Sequence, residues 1–187
     1  MQIEFEAKFT NIDKDDVRSK LKNIGAVLVK PEFLMRRVTF DTPLGIKGGW
    51  LRVRDEGDKI TMSLKVEAGD KITDQKECQI VISDFNKGCE FLEAIGVQRK
   101  AYQETTREIW QLGKIEFSID TWPGLNPFIE IEGPNEQEVR AAAEDLGFEW
   151  GKAVFGGVGK IYLSELGINI DKINHDTPEI TFANPPK

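Results

Sequence analysis

The 187-residue chain is poor in the side chains that most enzymes use for nitrogen- and sulfur-based chemistry. It has one histidine, His175, and two cysteines, Cys78 and Cys89. Two thiols are too few for a secreted disulfide scaffold of this size. Both sit in apolar patterns, so they are expected as buried free thiols. A lone histidine without sequence partners makes a poor general base, and His175 is expected at the surface. GxxxxGK[ST], GxGxxG and HExxH are all missing, which removes the P-loop, dinucleotide and zinc-protease routes. No run approaches the roughly 18 apolar residues of a membrane span, and charges interrupt the first residues too often for an apolar leader. A basic excess is lacking as well. The net charge is -7 and the pI about 4.9, which argues against general nucleic-acid binding and against an anionic membrane surface. These absences leave a cytoplasmic protein, with 40% hydrophobic residues and enough length for one well-buried core.

What is present is mostly strand, interrupted by three helices. "DKDDVRSKLKNIGA" opens on an Asp13 cap, carries Val17, Leu21 and Ile24 at helical spacing, and stops at Gly25. "DFNKGCEFLEAIGV" repeats this with Asp84 and Gly96, and "NEQEVRAAAEDLGF" with Asn135 and Gly147. Strands are expected at about 2–9, 34–41, 49–55, 59–66, 75–82, 103–111, 115–121 and 127–132. "RDEGDK" and "QLGK" read as hairpin turns, so neighbouring strands pair antiparallel. The proline-rich end, residues 171–187, reads as an irregular arm beyond a domain of residues 1–170.

The strands share one peculiarity. In "IEFEAKF" the residues Ile3, Phe5, Ala7 and Phe9 fall on one face, and Glu4, Glu6 and Lys8 on the other. Arg52 and Arg54 oppose Leu51 and Val53. Lys65 stands with Thr61 and Ser63, Glu77 with Gln79, Asp120 with Glu116 and Ser118, and Glu130 with Glu132. Either the sheet is half-buried with a wet outer face, or it closes with its charged face inward and its helices outside. The signs are segregated: Arg52, Arg54 and Lys65 belong to neighbouring strands, as do Asp120, Glu130 and Glu132. A soluble surface is better served by mixed signs. Paired arginines suit phosphate, and clustered carboxylates suit a hard divalent cation.

"EFEAK" (4–8), together with "FDTP", "LRVR", "SLK", "KECQ", "TREIW", "SIDTWPGL" and "FIEIEG" in that order, resembles the CYTH superfamily, the triphosphate tunnel metalloenzymes. The resemblance covers roughly residues 2–165. It implies an α+β fold: an eight-stranded antiparallel β-barrel, the triphosphate tunnel, with helices packed on the outside. It implies Glu4, Glu6, Glu130 and Glu132 as metal-binding carboxylates for Mg²⁺ or Mn²⁺. Lys8, Arg52, Arg54, Lys65, Arg107 and, by its place in the C-terminal segment, Lys160 would bind the triphosphate. Asp120 and Glu77 are the candidate catalytic bases. The sequence departs from the family where relatives often carry a basic residue just before the arginine of "TREIW"; Thr105 and Thr106 stand there, thinning the cationic wall. "GLNPF" and "GKIYL" also differ from the common family wording.

Three functions follow from the resemblance. The first is metal-dependent hydrolysis of a small triphosphate, whether inorganic triphosphate, a nucleoside triphosphate or thiamine triphosphate. The second is class IV adenylyl cyclase chemistry, giving cyclic AMP and pyrophosphate. The third is a non-catalytic polyphosphate or nucleotide binder. A monomer or homodimer acting on a small molecule, with no membrane or general nucleic-acid partner, fits all three.

Overall fold

Alternating strands with one apolar face need that face covered, and this chain covers it from outside. The computed structural model describes residues 1–43 and 46–187. Its strands are β1 (Gln2–Ile3), β2 (Phe5–Phe9), β3 (Val27–Phe40), β4 (Gly49–Asp55), β5 (Ile60–Glu67), β6 (Gln75–Ile82), β7 (Arg99–Leu112), β8 (Ile115–Thr121), β9 (Phe128–Gly133) and β10 (Glu179–Ile180). The sheet runs β1-β6-β5-β4-β3-β7-β8-β9-β2, every pair antiparallel. β1 and β2 are two halves of one N-terminal segment that changes partners at Glu4. β1 lies on β6 and β2 on β9, and the Glu4 amide donates to the Gln75 carbonyl at 3.1 Å. This segment therefore nearly closes the sheet into a barrel. Eight strands become nine along the sheet because the first is split, and β10 adds a short parallel contact to β7.

Four helices coat the barrel: α1 (Lys14–Asn23), α2 (Phe85–Ala94), α3 (Glu136–Asp145) and α4 (Gly159–Leu166). The first three are those expected, with the expected caps. Asp13 accepts from the amides of Asp15 and Asp16, Asp84 from that of Lys87, and Asn135 from that of Glu138. α1 stops where Gly25 takes φ +85°, a conformation that costs glycine little. The sequence reading missed α4. It begins after a glycine-rich run, and its cap residue, Val158, makes no side-chain cap bond.

The core lies between barrel and helices. α1 and α3 bury Val17, Leu21, Val139 and Leu146 against Ala7, Phe9, Phe117, Ile119, Ile129 and Ile131. α2 buries Phe85 and Leu92 against Val38, Phe40 and Val53. α4 and the C-terminal segment bury Ile161, Tyr162, Ile173 and Ile180 against Trp122 and Phe128. Residues 171–187 thus include a π-helical turn, Lys172–Asp176, and β10, with irregular chain around them. One expectation fails: Cys78 is exposed, and only Cys89 is buried. On its outer face α2 reaches only the end of β6, where Ile82 packs beside Gly88, so Cys78 and Ile80 are left open.

If stability resides in this outer layer, Phe117→Ala, which empties a fully buried outward site, should cost about 3–5 kcal/mol. Ser118→Ala, one residue on and facing inward, should cost less than about 1 kcal/mol. Chemical denaturation of both variants measures the difference.

Candidate active site

The inward faces enclose a cavity of about 830 Å³. All twelve residues singled out in the sequence line it: Glu4, Glu6, Lys8, Arg52, Arg54, Lys65, Glu77, Arg107, Asp120, Glu130, Glu132 and Lys160. The strand order explains the sign pattern. Lys65 (β5), Arg52 and Arg54 (β4) and Arg107 (β7) belong to one arc of neighbouring strands, with β3 between β4 and β7. Glu116 and Asp120 (β8), Glu130 and Glu132 (β9) and Glu6 (β2) form the other arc. Lys8 is the cation inside the acidic arc, and Glu77 the carboxylate beside the basic one.

Burying so much charge requires pairing. The Lys65 ammonium lies 2.7 Å from Glu4. Arg52 donates to Glu77 at 3.1 Å and Arg54 pairs with Glu56 at 2.6 Å. Lys8 bridges Glu6 and Glu130, the latter at 3.2 Å. Arg107 grips both oxygens of Asp120, at 2.7 and 2.5 Å, and also holds Glu130. The protonation states follow. Burial opposes the Lys8 charge, yet Glu6 and Glu130 hold its pKa above the ordinary range. Burial likewise opposes ionised Glu130, but Lys8 and Arg107 keep it far below the usual carboxylate range. Asp120 is lifted by burial, and Glu130 adds to the lift against the pull of Arg107. Burial and neighbouring Arg54 bring Arg52 down to about 10.

Glu4, Glu6 and Glu132 form a separate group, offering carboxylate oxygens within 4.8 Å of one another. Glu130, grouped with them in the sequence reading, does not join this cluster and is held by Lys8 and Arg107 instead. Hard oxygen donors at this spacing fit a divalent cation such as Mg²⁺ or Mn²⁺. Their mutual repulsion is visible in Glu132. Although water reaches its side chain, the surrounding wall together with Glu4, Glu6 and Glu116 pushes its pKa up to about 8.

Lys160 lines the cavity but spends its ammonium at the rim, on Glu67 (2.8 Å), Asp70 (2.7 Å) and the Phe155 carbonyl (2.9 Å). Gly156 sits at the centre of this knot with φ +101°, and a Cβ there would come within 2.2 Å of Glu67 Oε1 and 2.8 Å of Lys160 Nζ. Trp122 is buried under the Arg37 guanidinium at 4.6 Å and against the edge of Tyr162. His175 is exposed, as expected, yet stands at the cavity edge.

Sequence reasoning missed Arg37 and Glu116. Glu116 was visible as the inward partner of Ser118 and Asp120. Arg37 was hidden in the doublet Arg36–Arg37. Parity decides between them, since Val38 and Phe40 face outward and leave Arg37 and Thr39 inside. The threonines divide the same way. Thr105 is buried with its hydroxyl accepting from Arg37, whereas Thr106 donates to Glu32 on the outside at 2.6 Å.

Comparison with known proteins bears on this site. The CYTH domain family model matches residues 2–152. A candidate adenylate cyclase of Methanocaldococcus jannaschii is 31% identical over 134 residues, spanning 70% of this chain and 76% of that protein. The crystal structure of a candidate adenylate cyclase from Vibrio parahaemolyticus superposes with a TM-score of 0.73 at 17% identity, over 86% of this chain and 97% of the other. A Hippeastrum protein, introduced as a candidate adenylyl cyclase that reveals a dominant triphosphatase activity, gives 0.60 at 16% identity, over 92% and 100%. At such identities the two structures speak for the fold. No described helix is long and apolar enough to cross a membrane.

The raised pKa of Glu132 has a consequence for stability. The folded state keeps this proton up to about 8, whereas an unfolded glutamate releases it near 4.5. The folded state therefore binds the extra proton between these values, and metal-free protein should lose stability as pH rises through that window. Glu132→Gln should flatten the decline. Melting temperature against pH in a chelator tests this.

Proposed function

Because the chain belongs to the CYTH family, we propose that it hydrolyses a small triphosphate inside the tunnel with the help of a divalent cation. The observation that carries this reading is the division of one cavity into a basic arc and a three-carboxylate cluster. A polyphosphate bridged to a metal needs both at once. A divalent ion held by Glu4, Glu6 and Glu132 would neutralise charge on the phosphate oxygens. Lys65, Arg52, Arg54 and Arg107 would hold the remaining oxygens and fix the chain in line for attack, and positioning and charge neutralisation supply most of the rate in phosphoryl transfer.

Asp120 serves as the base in this reading. Its lifted pKa suits proton uptake, but Arg107 occupies both of its oxygens. A triphosphate that draws Arg107 onto a phosphate oxygen would free Asp120 to take the proton of a water. Glu77 stays ionised in the wall: burial lifts its pKa, but Lys65 and Arg52 bring it below the ordinary range. There it keeps the Arg52 fork oriented. Lys160 joins in only if the knot at Glu67 and Asp70 opens.

The names of the M. jannaschii and V. parahaemolyticus proteins support a second reading, in which the 3′-hydroxyl of ATP attacks the α-phosphorus. Trp122 weighs against it, because Arg37 and Tyr162 already occupy its ring and leave it unavailable to stack on adenine. Product analysis separates the two. With inorganic triphosphate or ATP and Mg²⁺ or Mn²⁺, orthophosphate is the expected product; cyclic AMP with equimolar pyrophosphate would establish the cyclase. Bound but unconverted triphosphate would mean a binding protein. In the same assay Glu4→Gln should lower metal-dependent turnover by roughly 10²-fold or more while leaving the melting temperature within a few degrees. A collapse of stability with activity per folded molecule intact would make Glu4 structural.

A further inference from the structure

Arg37 is the cation that the tunnel does not explain. It lies on the inward face of β3, opposite Arg54 on one side and Gln103 on the other, in the middle of the basic arc. It is buried, with 5% of its surface exposed. Among the described residues lining the cavity, every other lysine and arginine has a carboxylate at salt-bridge distance, and Arg37 has none. Its one side-chain hydrogen bond goes to the neutral Thr105 hydroxyl, and its Nε is buried without a protein partner. The face of Trp122, 4.6 Å away, supports the guanidinium but cannot neutralise it. Burial and the Arg52, Arg54 and Arg107 charges all disfavour the protonated form, against which Asp120 is the smaller counterweight.

A buried guanidinium with unspent donors, surrounded by like charge and facing a cavity, is set for an anion. We propose that Arg37 is an additional phosphate-binding residue of the tunnel, supplying from β3 the cationic charge that Thr105 does not supply from β7. Thr105 then has a definite task. It is small enough to leave room for the guanidinium, and its hydroxyl fixes one Nη while Nε and the other Nη remain for phosphate oxygens. This inference rests on the triphosphate reading and sharpens it. The phosphate group at the Trp122 side of the tunnel is gripped by a planar fork, and the ligand there is a phosphate oxygen rather than an aromatic base.

The test uses diimidotriphosphate, a hydrolysis-resistant triphosphate, with Mg²⁺ in a calorimetric titration. Arg37→Gln should weaken binding roughly ten- to a hundredfold, the loss expected for a charge-assisted hydrogen bond. Its ligand-free melting temperature should stay level or rise, because an unpaired charge beside Arg54 has gone. Adding Thr105→Lys to Arg37→Gln should recover a good part of the affinity by returning the charge from the other strand. Should the glutamine variant not fold, Arg37→Met carries the same test, since its stem still packs on Trp122. Wild-type affinity in either folded variant would overturn the role of Arg37 while leaving the triphosphate site standing. Failure of the wild-type protein to bind the analogue would overturn the site itself, and this inference with it.

Discussion

The constraint on which everything else depends is charge compensation inside a closed sheet. A barrel of this size that points its charged face inward must give nearly every ion a partner, because an unpaired buried charge costs several kcal/mol. The lattice of Lys8, Glu6, Glu130, Arg107 and Asp120 meets that requirement by sharing. Arg107 serves two carboxylates and Lys8 serves two, so losing Arg107 would leave Asp120 without a cation among the described residues. The sites that escape compensation are few, and each has a chemical meaning. Among the described residues, Glu132 stands beside Glu4 and Glu6 without a cation of its own, and the Arg37 guanidinium stands without a carboxylate on β3. Excess of one sign at each place would let the cavity take up a cation and an anion together, as the proposed function requires.

Much of this was legible in the sequence because the strand period is two. Once apolar residues are assigned outward, every Glu, Lys and Arg between them must point inward, so the lining of β2, β4, β5, β8 and β9 could be read directly. The resemblance to the CYTH family then selected the closed barrel over a half-wet sheet, a choice that alternation alone left open. The helix caps were equally readable, since Asp13, Asp84 and Asn135 act locally.

What escaped had physical reasons. β3 begins at Val27, well before its expected start, because Pro31 obscures the strand. The chain accommodates Pro31 where the β3–β7 register shifts between Lys30 and Phe33, consistent with the confinement of proline to irregular ladder positions. α4 lacks a capping side chain, follows two glycines and opens on a third, so its local signals are weak. It is held by tertiary contacts of Ile161 and Tyr162. Cys78 follows the right parity but lies on the part of β6 that α2 does not cover. Parity tells which way a residue points and leaves open whether anything waits there. The trio Glu4, Glu6 and Glu132 could not be separated from Glu130 by spacing, since that depends on which carboxylates the cations claim first.

The partner exchange at Glu4 also sets a timetable. The segment that nearly closes the barrel is made well before its partners: β6 ends at residue 82, β9 at residue 133, and Val154 bonds to Lys8 in both directions at 3.0 and 2.9 Å. Such distant pairing is slow to form, because long loops must close before contacts reward them. During synthesis, then, Glu6 and Lys8 wait without their β9 partners Glu132 and Glu130 while some 120 further residues emerge. Alternating charge keeps this waiting strand soluble, since a row of carboxylates and an ammonium is a poor template for premature edge pairing. The residues proposed to gather metal would thus first act as a guard on an unfinished strand.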